Sequence, residues 1–298
     1  MASHLPDGVL TVLSAGVAED RPMSRRRAGG IVGLLVMLGF VGYLSVSPPA
    51  ALTPLLTGDR PSAIAGQEVP AIEGAPDVRI AVAGDTGTGT PAETATGRRM
   101  AAEGGQRPYD ALLLLGDLIY DVGDATLVDQ VVTEPFAPVL DGGAQLLPVL
   151  GNHDYGSGEQ QQILTALGAD APWYAAQVGS VRVLVLDSNR VDDPEQTQWL
   201  RATLAAPQAA GTWTVAAMHH PAYSAGYHGS DLSVREAWGP LFADAGVALV
   251  MAGHDHDYQR STPQDGVTYV VSGAGASSRR VGHQDFTAVS SATLHYLD

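Results

Sequence analysis

Cysteine and lysine are both absent from this chain of 298 residues. Without cysteine there are no thiolate metal sites, disulfide staples or thiol nucleophiles, so any metal ion must be held by oxygen and imidazole nitrogen. Without lysine, arginine is the only strong base, and Lys+Arg total 16 against 32 Asp+Glu, for a formal net charge of -16. A broad basic face able to hold a nucleic acid backbone is hard to assemble from that balance, which argues against nucleic acid as the main partner. What is present is enough apolar material for a packed core, 45% of the residues, so the chain reads as globular.

One long apolar run stands out, over 31–46, preceded by Arg25, Arg26 and Arg27 and followed by Ser47, Pro48, Pro49 and Ala50. A basic stretch, an apolar stretch and a small-residue exit read as a signal peptide or signal anchor over 23–47. Met23 precedes this arrangement directly, which makes 1–22 an upstream extension. The run is at the lower edge of what spans a bilayer, so cleavage and anchoring both stay open. The arginines lie before it, so the rest of the chain is expected outside the cytoplasm, secreted or membrane-anchored, with the N-terminal segment contacting the membrane. Ala28 and Gly29 weaken a twin-arginine reading. A linker rich in Pro, Ala and Gly follows over 48–76, and the folded domain is expected over 77–298.

Within that domain, short apolar runs at 78–83, 111–115, 145–150, 181–186, 212–218, 247–251 and 267–271 read as strands. Stretches with helical spacing at 91–103, 125–140, 194–204 and 232–245 lie between them. The alternation predicts an α/β layered domain. Several runs end in a sharp polar signature: Gly84-Asp85-Thr86-Gly87, Gly116-Asp117 with Tyr120, Gly151-Asn152-His153-Asp154, His219-His220-Pro221 and Gly253-His254-Asp255-His256. Loops at the carboxyl ends of strands converge on one rim, so five such clusters imply one shared site.

Asp, Asn, His and Tyr supply the oxygen and nitrogen ligands that suit zinc, manganese, iron and related ions. Two ions sharing one carboxylate would clamp a phosphate and activate water near neutral pH, which points to phosphoester hydrolysis. Singly, each signature has a bland reading as a capped turn or a solvated loop. Their order and shared strand-end position favour a joint metal site.

The series, from about Asp77 to Gly275, resembles the calcineurin-like metallophosphoesterase superfamily, and within it the purple acid phosphatases of the small, tartrate-resistant type. Ordinary members of the superfamily carry Asp-x-His in the first motif, whereas here Asp85-Thr86-Gly87 offers no imidazole. The purple acid phosphatase pattern instead places a tyrosine three residues after the bridging aspartate, as Tyr120 stands to Asp117. The resemblance implies a four-layer α/β/β/α sandwich with a dimetal site at the carboxyl ends of its strands. It also implies a ferric ion held by Asp85, Asp117, Tyr120 and His256, and a divalent iron, zinc or manganese ion held by Asp117, Asn152, His219 and His254. His153 and His228 match the family's outer histidines, expected to bind phosphate and protonate the leaving alkoxide, with Asp154 orienting His153. The implied activity is acid phosphatase action on small phosphate monoesters by hydroxide formed at the metals. A phosphodiesterase of the same superfamily is the nearest rival, and a non-catalytic, membrane-tethered metal- or phosphate-binding protein a more distant one.

Other polar residues are expected to be structural. For His220 a substrate contact is the lesser alternative, and the favoured reading is that it points to the face opposite His219 and packs or meets solvent. Asp187 to Arg190 read as a loop capping the helix that starts near Pro194, Ser272 to Gly275 as a turn, and Trp213 and Trp238 as core. His4, His283 and His295 have no partner legible in the sequence. After Arg280 only 292–297 reads as a strand, so the second sheet is expected to lack closing strands and to leave an open edge.

Overall fold

The computed structural model describes residues 12–14 and 78–298; the expected signal segment and linker lie outside the described residues. Among the described residues no helix is long and apolar enough to cross a membrane. In chain order the elements are β1 (Val12–Ser14), β2 (Ile80–Ala83), α1 (Pro91–Gly104), β3 (Ala111–Leu114), α2 (Glu134–Leu140), β4 (Gln145–Pro148), α3 (Gln160–Ala166), β5 (Tyr174–Val178) and β6 (Val181–Val185). They continue with α4 (Pro194–Ala205), β7 (Trp213–Ala217), α5 (Leu232–Ala245), β8 (Leu249–Ala252), β9 (Tyr258–Ser261), β10 (Thr268–Ser272), β11 (Thr287–Ser291) and β12 (His295–Leu297).

Two sheets result, ordered β1-β12-β2-β3-β4 and β11-β9-β10-β8-β7-β6-β5. Strands β2, β3 and β4 run parallel, as do β6, β7, β8 and β10. Alternate residues of each strand face opposite ways, and here both ways are buried, which is why these strands read as unbroken apolar runs. Val82, Leu113, Val183, Val215, Met251 and Val270 meet in one core between the sheets. Ala81, Leu112 and Leu114 face Met100 of α1, Phe136 of α2 and Ile163 of α3. Leu184, Ala216 and Val250 face Leu200 of α4 and Trp238 and Phe242 of α5. The order of layers is helix, sheet, sheet, helix, as the resemblance implied.

Four differences from the sequence reading have local causes. The helix expected over 125–140 is broken into a 3₁₀ turn at Ala125–Leu127, a π turn at Asp129–Thr133 and α2. Pro135, at the start of α2, lacks the N–H group that a ladder continuous with the preceding turns needs, whereas Pro138 is accommodated inside α2. Strands β5 and β11 escape the apolar pattern because they are the edges of the second sheet and stay partly exposed. Strand β9 is polar yet buried, with Gln259 bonded to Ser224 Oγ, Asp257 Oδ1 and the Ala225 N–H. Strand β12 joins the first sheet, not the second: Leu297 pairs with Val82, and β1 covers its other side.

The helix starts behave as their caps require. Asp193 accepts from the N–H groups of Glu195 and Gln196 ahead of α4, and Arg190 pairs with Asp193, so the Asp187–Arg190 segment serves that helix start. Glu93, in the first turn of α1, is fully buried; its Oε2 accepts from Gly89 N at 2.6 Å while Oε1 has no partner. Burial pushes its carboxyl up to about 8 against the pull of the Gly89, Thr88 and Thr90 N–H groups. A raised folded value means the native chain keeps a proton that the unfolded chain releases. This contribution is therefore fully favourable below the unfolded value of 4.5 and is lost as pH rises towards about 8. Glu93→Gln should flatten the fall in Tm between pH 5 and pH 8 relative to wild type, by the equivalent of roughly 2–4 kcal/mol. Equal slopes for the two proteins would show that Glu93 does not titrate there.

Candidate metal centre

Five of the seven expected ligands stand just beyond a strand end, Asp85 after β2, Asp117 after β3, Asn152 after β4, His219 after β7 and His254 after β8, with Tyr120 and His256 farther along the loops after β3 and β8. The two sheets face each other, so loops from both reach the same place. Four non-glycine residues among those described have positive φ, and three are Asp85 (57°), Asp117 (51°) and His254 (70°). Left-handed backbone costs about 1–2 kcal/mol per residue in a side chain with a Cβ. Such strain persists where the surrounding structure over-determines it, and functional sites are where it gathers. Glycine lets the loops touch: a Cβ at Gly151 would lie 2.2 Å from both Asp117 N and Asp117 Oδ1.

The donor atoms form two groups that share one carboxylate. In the first, Tyr120 Oη lies 3.2 Å from Asp85 Oδ1 and 3.2 Å from His256 Nε2, and His256 Nε2 lies 3.3 Å from Asp85 Oδ1. In the second, His219 Nε2 lies 3.1 Å from Asn152 Oδ1 and 3.2 Å from His254 Nδ1. Asp117 faces both, with Oδ2 at 2.9 Å from Tyr120 Oη and Oδ1 at 3.4 Å from His219 Nε2. All seven expected ligands are thus brought together.

Outer contacts aim the imidazoles. His219 Nδ1 donates to Leu115 O at 2.8 Å, leaving Nε2 for the site, and His256 Nδ1 lies 2.7 Å from Ser277 Oγ with the same result. Asp85 and Asp117 are both buried, and their carboxylates lie within 4.8 Å of each other and of His219. Burial, then the Asp117 charge, pushes the Asp85 carboxyl up. For Asp117 burial acts the same way, but His219 and the His153 N–H outweigh it and hold the carboxyl well below its usual range. Burial opposes a charge on His219, yet Asp117 and Asp85 raise it to about 10. Two buried carboxylates, three imidazoles, an amide oxygen and a phenol turned inward form a donor set that fits a pair of cations.

His153 and His228 flank the mouth. His153 Nδ1 donates to Asp121 O at 2.6 Å, its ring sits 4.4 Å from the Tyr120 ring, and its Nε2 is 3.9 Å from Asp117 Oδ2. The His228 ring is 4.2 Å from that of His254. The expected role of Asp154 is corrected: it does not orient the His153 ring, which the Asp121 carbonyl holds. Asp154 is fully buried and accepts from Leu118 N, Ile119 N and Gly151 N, so it ties the loop after Asp117 to the loop before Asn152. His220 is corrected as well. Its ring lies 4.6 Å from His254 and 5.0 Å from His219, with Nδ1 2.8 Å from Ser188 Oγ. Strand β7 ends at Ala217, so the alternation of faces no longer governs residue 220.

Asp255, between the expected ligands His254 and His256, was not singled out by sequence reasoning. Its carboxylate accepts from His228 N at 2.7 Å, from Gly229 N at 3.3 Å and from Ser224 Oγ, which fixes the loop carrying His228. His295, without a legible partner in the sequence, bonds Ser272 Oγ at 3.0 Å as a buried tie between β12 and β10. Trp238 is core, Trp213 half-buried and His283 exposed, while His4 lies outside the described residues.

Gly87 decides between the two patterns of the first motif. A Cβ there would sit 1.8 Å from Leu118 O, so no side chain, a histidine included, fits at this position. The contact exists because Gly87 is bonded on both sides to the loop of Tyr120, through Gly87 N to Asp117 O and Tyr120 N to Gly87 O. The tyrosine loop occupies the room that an imidazole at 87 would need. The family model for calcineurin-like phosphoesterases matches residues 78–258. The chain belongs to the calcineurin-like phosphoesterase family. Its relatives in that family include purple acid phosphatases. Human tartrate-resistant acid phosphatase type 5 is 30% identical over 200 residues, 56% of this chain and 61% of the human protein. An uncharacterised protein of Mycobacterium tuberculosis is 37% identical over 111 residues, 32% of this chain and 21% of its own length. The chain therefore spans less than two thirds of either relative. Among solved structures, the purple acid phosphatase PPD1 of yellow lupin shares the fold with a TM-score of 0.66 at 18% identity, over 74% of this chain and 48% of that one.

Proposed function

We propose that this chain is an exported acid phosphatase that hydrolyses small phosphate monoesters at a ferric and divalent metal pair. The observation that carries the reading is Asp117, whose two oxygens face two separate donor groups, one with a phenol and one without. Asp85, Asp117, Tyr120 and His256 would hold the ferric ion; Asp117, Asn152, His219 and His254 would hold iron, zinc or manganese in the divalent state. Bound there, the two ions would neutralise phosphoryl oxygens and acidify water.

The remaining steps fall to the chain's own groups. His153, with Nδ1 fixed on the Asp121 carbonyl, offers Nε2 to the site and is the group placed to hand a proton to the departing oxygen. His228 Nε2 accepts from Arg279 at 3.0 Å and so carries no proton to give, which leaves that step to His153. Asp154 and Asp255 keep the loops bearing these groups in register. Export rests on Arg25 to Arg27 ahead of the apolar run at 31–46; N-terminal sequencing of the protein from the culture medium and the membrane fraction checks it.

The test is metal analysis and a visible spectrum of the purified protein, with turnover of p-nitrophenyl phosphate and bis-p-nitrophenyl phosphate followed across pH. Two metals per chain, a visible band and faster monoester turnover in acid are expected. Faster diester turnover would assign the rival activity instead. Tyr120→Phe should remove the visible band while two metals remain bound, because only the phenolate supplies that colour. A band that survives would take Tyr120 out of the ferric site.

A further inference from the structure

The loop after β10 carries Arg279 and Arg280, both exposed, at the mouth of the metal centre. It is fastened to the turn that bears His256: Arg279 N donates to His256 O at 2.7 Å, and Ser277 Oγ lies 2.7 Å from His256 Nδ1. The origin of the Arg279 side chain is thereby fixed relative to the donor groups. Its Nη1 reaches His228 Nε2 at 3.0 Å, and its guanidinium lies 5.4 Å from the centre of the Tyr227 ring. A guanidinium has no lone pair to offer, so Arg279 donates and His228 accepts. Among the described residues no ion pair involves Arg279, although acidic residues outnumber basic ones by 32 to 16.

The positions form a sequence leading outward. The His228 ring is 4.2 Å from His254, Arg279 is one hydrogen bond farther out, and Tyr227, 75% exposed, walls the same side. Only one N–H of the guanidinium is engaged by His228, so its remaining N–H groups, free of carboxylates, are available to take two oxygens of a single phosphate or carboxylate. From this placement we infer that Arg279 is a substrate-binding residue that selects phosphoesters and phosphoanhydrides whose leaving group carries a second anion close to the scissile oxygen. The inference rests on the phosphatase reading above. With pyrophosphate, the oxygen of water bonds one phosphorus, the bridging P–O bond breaks, and the electron pair leaves with the second phosphate, which takes up a proton. Arg279, steadied by its bond to His228, holds that departing phosphate, and no oxidant or reductant is needed.

The experiment uses the full chain loaded with iron and zinc, and compares Arg279→Ala, Arg279→Lys and Arg280→Ala on p-nitrophenyl phosphate and on pyrophosphate. Arg279→Ala should lower kcat/KM for pyrophosphate roughly 10- to 100-fold, the scale of a lost charge-assisted contact, and that for the aryl ester only about threefold. Arg279→Lys should recover part of the loss, since a point charge replaces a fork, and Arg280→Ala should leave both substrates within about twofold. Calorimetric binding of methylenediphosphonate, which cannot be hydrolysed, should weaken in Arg279→Ala by a factor similar to the pyrophosphate loss, with inorganic phosphate affected less. Equal losses on both substrates, or the same loss from Arg280→Ala, would overturn the inference. A wild-type protein that turns over neither substrate would sink the phosphatase reading, and the methylenediphosphonate titration would then still decide whether Arg279 binds the second anion.

Discussion

Asp117→Asn should reduce turnover of an aryl phosphate by at least about 10³-fold and lower bound metal from two ions per chain to one or none. Among the described residues this carboxylate is the only group with one oxygen turned to Tyr120 Oη, at 2.9 Å, and the other to His219 Nε2, at 3.4 Å. Asparagine keeps one oxygen and replaces the other with an NH₂ that has no lone pair for a cation, so one donor group loses its shared member. The charge goes too, and Asp117 is the group that chiefly raises His219 against the cost of its burial. Because Asp117 is held ionised far below the usual carboxylate range, protonation of this residue should not limit activity in acid. The shape of the side chain is conserved, so the variant should fold, which circular dichroism and Tm would confirm. Undiminished turnover with two metals bound would remove Asp117 from the bridging position.

Among the described glycines, Gly87→Ala should be the most damaging substitution by a single methyl group. The added Cβ would lie 1.8 Å from Leu118 O, 2.1 Å from Leu118 C and 2.6 Å from Ile119 N, all backbone atoms that no rotamer change can move aside. Overpacking of a flexible core costs about 1–3 kcal/mol, and a clash with fixed backbone belongs at or above the top of that range. A fall in Tm of roughly 10 °C follows. The Tyr120 loop would have to shift, so activity should fall further than stability alone explains. Gly105→Ala is the control: Gly105 has φ of −60°, and the nearest atom to its Cβ is Ala102 O at 3.4 Å, so its Tm should change by less than about 2 °C. Comparable losses in the two variants would mean that the close approach at Gly87 is relaxed in solution.

By itself the sequence determined the layered α/β class, most of the parallel strands and the seven residues that the structure brings together as candidate donors. These are local signals: a strand buried on both faces is a continuous apolar run, and a ligand at its carboxyl end follows it directly in the chain. The Gly87 and Tyr120 pattern was legible as well, but only the fold supplied its reason, a steric exclusion between two loops 33 residues apart or less, carried by Gly87 against Leu118 and Ile119. The edge strands β5 and β11 and the polar strand β9 left no apolar run to read, since half-exposed edges need none and Gln259 satisfies its own buried groups.

The roles of supporting residues were decided by tertiary structure alone. Asp154 binds N–H groups 35 and 36 residues earlier, Asp255 those of a loop 26 and 27 residues earlier, and Arg279 meets a histidine 51 residues away. Nothing in their neighbours along the chain encodes those partners. A metal ligand announces itself by residue type at a strand end, whereas a residue that holds a loop or greets a substrate is defined by what the folded chain brings to it.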